Sequence, residues 1–162
     1  MKFKSTRFGE IEFKEDEVIK TTKGILGFPH LTQYVVIQQE EGSHFRWLQS
    51  IEDPTVAFVV ANPLDFFSQY RIKVNPSELE DLKCKKLENL VVLSIITVPK
   101  GNPAEMSANL LGPILVNPFE KLAKQVVLTN SPYTTKHYII EELNKKLKEE
   151  EEKVQSEVAA VS

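Results

Sequence analysis

The stretch MSANLLGPILVNP, Met106 to Pro118, carries the most information about the fold. Seven of its thirteen residues are apolar, and none is acidic, basic, histidine or cysteine. A membrane helix needs roughly 20 consecutive apolar residues, so this interrupted run is too short to span a bilayer. We expect its aliphatic residues to form buried strands on either side of a bend or bulge at Gly112-Pro113 that lets the sheet curl.

The sequence around this stretch is dominated by short strand patterns. Residues 9–14, GEIEFK, alternate apolar and charged side chains with the period of two of a half-exposed strand. Residues 55–61, TVAFVVA, are apolar on both faces, as in a central, covered strand. Short strands separated by turn signals predict an all-β fold, either a small antiparallel β-barrel or a sandwich. The other expected strands are residues 3–8, 34–38, 45–51, 90–98, 106–111, 114–116 and 124–128.

One short helix and a charged tail complete the predicted architecture. Ser77 is followed three residues later by Glu80, which is the spacing of a capping box, so a helix is expected from Ser77 to Leu82. From residue 141 onward, seven glutamates and four lysines carry the whole net charge of −3. The sequence predicts one barrel domain over residues 1–140 and an acidic tail over residues 141–162 that is a frayed helix or disordered. Leu143, Leu147, Val154 and Val158 are spaced as on one helix face, so the alternative is a tail that packs on a partner.

Composition and charge narrow the class of protein. The N-terminal residues lack the apolar segment and cleavage site of a signal peptide, so a cytoplasmic protein that does not contact a membrane is expected. A single cysteine, Cys84, leaves no disulfide within the chain. The body outside the tail is electrically neutral and holds all three arginines, Arg7, Arg46 and Arg71. Because nucleic-acid binding requires a basic patch, this composition argues against direct contact with nucleic acid.

The sequence contains no motif for catalysis, a metal or a cofactor. Its histidines, His30, His44 and His137, are far apart and have no metal-ligand spacing. The known hydrolase, phosphate-loop and dinucleotide-binding motifs are absent from the sequence. We therefore expect a protein that is not an enzyme and uses no cofactor.

Aromatic and amide side chains near turns are the candidate interface residues. Phe66, Phe67 and Tyr70 follow a proline in ANPLDFFSQY, and neighbouring residues on a strand cannot both face inward. Ser107, Asn109 and Asn117 interrupt strands that are otherwise apolar, so they are the members of the opening stretch that can reach a partner. Exposed aromatic and amide groups on a rigid sheet are typical of protein interfaces.

Five segments in order resemble the FliW family of flagellar assembly factors. They are TRFGEIEF, GILGFPHLTQYVV, FRWLQSIEDPTVAFVVANP, ITVPKGNPAEMSANLLGPILVNP and KQVVL, within residues 3–138. The resemblance implies an antiparallel barrel without catalytic activity that binds the RNA-binding regulator CsrA and blocks it without occupying its RNA site. It also implies binding of newly made flagellin, which displaces CsrA and so allows CsrA to repress flagellin translation.

The resemblance suggests where acidic residues would contribute to the association with CsrA. CsrA-type proteins are basic because they bind RNA, and acids at an interface rim accelerate association with a basic partner. Glu52, Asp53 and Asp65 are the expected rim residues, near the group from Phe66 to Tyr70. The alternatives are a chaperone specific for flagellin, a barrel that binds RNA directly, and an enzyme whose site the motifs do not reveal.

Overall fold

The computed structural model describes the backbone of residues 1–161 and the side chains of residues 1–155. The described residues form short strands, two α-helices and several single turns of 3-10 helix. The strands are β1 (Lys2–Ser5), β2 (Gly9–Glu12), β3 (Ile19–Thr21), β4 (Gln33–Ile37), β5 (Phe45–Ser50), β6 (Ala57–Ala61), β7 (Val91–Thr97), β8 (Ser107–Ala108), β9 (Ile114–Asn117), β10 (Leu122–Gln125) and β11 (His137–Tyr138). The helices are α1 (Pro76–Asp81) and α2 (Ile139–Val161).

Seven of the strands close into a barrel, which confirms the predicted fold class. Their order is β7-β6-β5-β4-β3-β10-β9, and β9 pairs again with β7 to complete the ring. One pair, β3 and β10, is parallel, whereas the prediction was an antiparallel barrel. The reason is geometric: strands cannot alternate in direction all the way around a ring with an odd number of members.

The opening stretch supplies the bend that closes the ring. β8 pairs with Ile96 and Thr97 of β7, and β9 pairs with Val91 to Leu93 of the same strand. Five residues, 109–113, therefore lie opposite only two residues of β7, which is an extended bulge. The predicted bend at Gly112-Pro113 is confirmed, but the expected strand over residues 106–111 shrinks to Ser107–Ala108.

The apolar residues form two main cores, one inside the barrel and one outside it. The interior core includes Tyr34, Leu48, Val60 and Ile114, which are at most 1% exposed. The outer core lies between one face of the barrel and the segment that connects β6 to β7, together with the start of α2. Separately, the hairpin β1–β2 packs on the barrel through a smaller apolar cluster.

Helix α1 differs in detail from the sequence prediction. α1 begins at Pro76 with Asn75 at its N-cap, so the predicted capping box of Ser77 and Glu80 is wrong. Proline is favoured at the first helical position, which starts the helix one residue earlier than expected. Leu82, the last residue of the expected helix, follows α1 and is fully buried.

The tail is helical, and its helix α2 follows strand β11 directly. α2 begins at Ile139, which is fully buried in the outer core, and Leu143 packs against that core. Leu147 and Val154 are 59% and 57% exposed, and the side chain of Val158 lies outside the described residues. Among the helices of the described chain, none combines the length and apolar character needed to cross a membrane.

Candidate functional site

The two ends of the barrel differ, because a loop closes only one of them. The loop between β3 and β4 places Ile25, Phe28 and Leu31 in the interior core. Gly24 makes this possible: its φ is +69°, and a Cβ there would lie 2.5 Å from the carbonyl oxygen of Phe28. The backbone N–H of Leu26 donates to Oε1 of Gln125 at 2.8 Å, which anchors the loop to β10. We call this the plug end.

The opposite end, which we call the barrel mouth, is an open apolar well. Its cavity has a volume of about 430 Å³ and is lined from every strand of the ring or from the residue next to it. Ile19 and the fully buried Val60 form the floor, whereas Val36 and Val91 are 42% and 41% exposed at the rim. Such a well is concave, apolar and within the size range of ligand pockets.

The rim of the mouth is polar and carries more positive than negative charge. Nδ1 of His44 lies 3.0 Å from Oδ2 of Asp65, so the one acid of the lining has a partner. Arg46 and Lys121 also line the mouth, and neither has a carboxylate within 4.0 Å among the described side chains. Both cationic groups are thus available to a bound molecule.

Phe119 projects from the turn between β9 and β10, beside the mouth. Its side chain is 88% exposed, more than any other large hydrophobic residue in the described part of the chain. The turn is fixed by Asn117, whose Oδ1 accepts the N–H groups of Phe119 and Glu120 at 3.1 and 3.2 Å. An aromatic side chain held on a rigid turn is a typical interface anchor.

The three aromatic residues expected at an interface are buried, so the expectation that they are exposed is wrong. Phe66, Phe67 and Tyr70 are 7%, 8% and 5% exposed. Phe66 and Phe67 are the two residues after the 3-10 turn Pro63–Asp65 and do not lie on a strand, and this allows both neighbours to face the outer core. Tyr70 donates its hydroxyl to the carbonyl oxygen of Leu110 at 2.7 Å, and burial raises the pKa of this hydroxyl.

The two asparagine side chains of the opening stretch form hydrogen bonds with the backbone. Ser107 and Asn117 are 3% and 6% exposed, and Asn117 donates its Nδ2 to the carbonyl oxygen of Leu82 at 2.8 Å. Oδ1 of the half-buried Asn109 accepts the N–H groups of Leu111 and Gly112 at 3.1 and 2.9 Å. The expectation that these side chains reach outward is therefore wrong for Ser107 and Asn117, which are buried. Asn117 is buried because its amide supplies the donor and acceptor that the buried backbone needs at this turn.

The predicted acidic rim does not exist as one group. Asp65 lies at the mouth, whereas Glu52 and Asp53 lie in the β5–β6 turn at the plug end. Oε1 of Glu52 accepts the N–H groups of Thr32 and Gln33 at 2.7 and 2.9 Å. Hydrogen bonds from Thr55 lower the pKa of Asp53. Both acids at the plug end therefore hold a turn in place.

Apart from Asp65, the residues that form the mouth were not predicted from the sequence. Val36, Arg46 and Val91 stand on different strands, and only the closure of the ring brings them together. Phe119 could have been recognised from the sequence as an interface candidate, because a large aromatic residue in the polar turn NPFEK has no partner on its own hairpin.

Among the described residues, no group of three or more His, Cys, Asp or Glu side chains is arranged to hold a metal ion.

Comparisons with known proteins agree on one family. The family model described as FliW protein matches residues 2–139. The flagellar assembly factor FliW of Natranaerobius thermophilus is 40% identical over 137 residues, covering 85% of this chain and 91% of that relative. The FliW of Magnetococcus marinus is 40% identical over 127 residues, covering 78% of each chain. A crystal structure of the flagellar assembly factor FliW superposes with a TM-score of 0.80 at 34% identity, covering 86% of this chain and 96% of that one.

Proposed function

The chain belongs to the FliW family of flagellar assembly factors, and from this premise we propose that it regulates flagellin synthesis by binding two proteins in turn. It binds the translational regulator CsrA and antagonises it without competing for RNA. It also binds cytoplasmic flagellin, and flagellin releases CsrA. We propose that both events take place in the cytoplasm, before flagellin is exported, and that no catalysis, cofactor, membrane or nucleic acid takes part.

The observation that carries this proposal is the family match over residues 2–139, which includes all the barrel strands. The mouth adds physical support for a protein partner. Val36, Val91 and Phe119 expose apolar side chains, and binding of another molecule over them would lower the free energy by removing this surface from water. Their position on a closed, rigid ring holds them in place before binding, which reduces the entropy lost on association.

Size-exclusion chromatography of the purified chain tests the partner switch. We expect CsrA from the same organism to co-elute with this chain, and flagellin added afterwards to move CsrA back to its own elution volume. If flagellin co-elutes but CsrA never does, the protein is a flagellin chaperone and the regulatory part of the proposal is wrong.

The mode of antagonism needs a second measurement. Fluorescence anisotropy of labelled RNA bound to CsrA can be followed while this chain is added at several RNA concentrations. Non-competitive antagonism predicts that excess RNA does not restore the bound fraction. Full recovery with excess RNA would indicate that the two ligands share one site on CsrA.

Direct RNA binding is the second candidate, and salt distinguishes it. A barrel that contacts phosphates should retain labelled RNA at low salt and lose it steeply as salt rises. We expect no retention by this chain alone, because the residues outside the tail carry no net charge. Retention that falls steeply with salt would favour the RNA-binding function.

A further inference from the structure

The chemistry of the barrel mouth selects what can fill it. The wall of the well is apolar from Ile19 and Val60 on its floor to Val36 and Val91, which lie beside the charged side chains of the rim. An apolar side chain inserted there would displace water from surfaces that no residue of the described chain covers. The first requirement for an occupant is therefore an exposed aliphatic or aromatic side chain.

The rim adds a second requirement, which concerns charge. Nδ1 of His44 lies 3.0 Å from Oδ2 of Asp65, the one acid of the lining, and the two basic side chains Arg46 and Lys121 outnumber that acid. The acids of the turn Glu15–Glu17 line a neighbouring groove, which Phe119 and Lys121 also line. A carboxylate beside the inserted side chain would meet the Arg46 guanidinium, which forms strong, charge-assisted hydrogen bonds with carboxylates.

These requirements separate the two partners of the proposed function, on which this inference rests. A basic RNA-binding regulator would bring like charge to Arg46 and Lys121, and like charges across an interface oppose association. We propose that the barrel mouth binds flagellin, through a segment that inserts an apolar side chain into the well and places a neighbouring carboxylate on Arg46. CsrA then binds mainly outside the mouth.

The test compares flagellin binding by single-site variants of the full chain, using isothermal titration calorimetry with monomeric flagellin. Arg46→Glu should weaken binding roughly tenfold to a hundredfold, as expected for losing a hydrogen bond between charged groups. Val91→Asp and Val36→Asp should each weaken it at least about tenfold, because they place a carboxylate in the apolar well. Arg46→Lys should bind between wild type and Arg46→Glu, since it keeps the charge but loses the forked geometry.

Matched controls separate a binding defect from misfolding. Val127→Asp changes a valine that is 53% exposed and does not line the mouth, and Lys100→Glu reverses an exposed charge elsewhere. Both should bind flagellin as wild type does. The mouth residues Arg46, Val36 and Val91 are exposed, so the variants should also keep the wild-type unfolding midpoint. CsrA binding should change by less than about threefold in every variant whose change is local.

Each contrary outcome has its own meaning. If wild type binds flagellin and the three mouth variants bind it equally well, the mouth is not the flagellin site and this inference is wrong. If the variants lose CsrA and keep flagellin, the occupant is the regulator and the inference is again wrong. A wild-type dimer that Val91→Asp converts to a monomer without loss of flagellin binding would assign the mouth to a second copy. Failure of wild type to bind flagellin at all would instead refute the proposed function.

Discussion

At the scale of single residues, polar side chains inside the strands mark bends rather than contacts with a partner. Asn109, Asn117 and Gln125 each hydrogen-bond backbone groups at a turn or bulge. A buried amide that lacks a partner costs about 1–3 kcal/mol, so these bends need such side chains. An amide in an apolar run therefore indicates local backbone geometry as readily as an interface.

His137 predicts a dependence of stability on pH. Its Nε2 accepts the backbone N–H of Thr134 at 2.9 Å, which requires the neutral ring, and burial lowers its pKa from 6.5 despite the opposing charge of Glu142. The unfolded chain therefore binds a proton at a higher pH than the folded chain. We expect the free energy of unfolding, measured in urea, to fall as the pH drops below about 6.5.

The control for this prediction is a pair of histidine variants. His137→Gln should remove that part of the pH dependence between pH 8 and pH 5, whereas the exposed His30→Gln should keep it. Equal pH profiles for wild type and His137→Gln would show that the ring does not couple to folding.

Phe119 predicts a binding defect without a folding defect. Because its side chain is 88% exposed, Phe119→Ala should change the free energy of unfolding by no more than about 0.5 kcal/mol. It should weaken flagellin binding about tenfold, since an exposed aromatic residue beside the mouth would be buried in the complex. Leu26→Ala, which removes a 65% exposed side chain at the plug end, is the matched control and should leave calorimetric affinity unchanged.

At the scale of secondary-structure elements, α1 is held by one lysine. Nζ of Lys124 on β10 lies 2.6 Å from Oδ2 of Asp81 and 2.7 Å from Oε2 of Glu78, and the lysine side chain is only 10% exposed. Burial works to lower the pKa of Lys124, but its bonds to Asp81 and Glu78 outweigh burial and raise it. The same bond lowers the pKa of Asp81. A helix of six residues is too short to be stable alone, so this ion cluster and Leu82 determine its position.

Breaking the cluster should destabilise the protein in a pH-dependent way. We expect Lys124→Ala to lower the free energy of unfolding by about 2 kcal/mol at pH 7, because it removes hydrogen bonds between charged groups. The raised pKa of Lys124 keeps its contribution intact at and below neutral pH. The lowered pKa of Asp81 means that its contribution is present above 3.8 and is lost as the pH falls below that value.

Urea unfolding at pH 7 and at pH 3 measures this effect. The difference between wild type and Lys124→Ala should shrink at the lower pH, whereas Lys100→Ala should match wild type at both. A difference that is the same at both pH values would mean that Lys124 contributes by packing its alkyl chain and not by its charge.

At the scale of the whole molecule, closure of the ring makes the barrel one cooperative unit. Each of its strands is paired on both edges, and β7 holds two sides of the ring together through β6 and β9. The first turn of α2 joins this unit through Ile139 and Leu143, but the exposed Leu147 and Val154 lie beyond it. The sequence-based boundary at residue 140 between barrel and tail remains a prediction.

Hydrogen exchange measured by NMR tests this division. Backbone amides in β4, β5, β6 and β7 should exchange together, through global unfolding. Amides of α2 after Leu147 should exchange faster by several orders of magnitude, because few apolar contacts hold that part of the helix. Uniform protection along α2 would show that the tail belongs to the cooperative unit.

The sequence alone determined the fold class, the family and the position of the bend. Period-two alternation, β-branched runs and Gly112-Pro113 are local signals, and each strand type follows from residues within a few positions of one another. Helix α1 was expected within one residue of its observed start, although the capping box on which that expectation rested is not formed. The three-residue strand β3 and two-residue strand β11 were missed, since so short a run carries no period.

Only the tertiary structure decided which side chains meet. Burial of Phe66, Phe67 and Tyr70 depends on a 3-10 turn packing against distant strands, and the separation of Asp65 from Glu52 depends on which end of the barrel each turn occupies. The mouth draws Val36, Arg46 and Val91 from three strands. Proximity between residues far apart in sequence is set by strand order and closure, which local patterns do not encode. The sequence therefore predicted most of the strands, and the closed ring created the site.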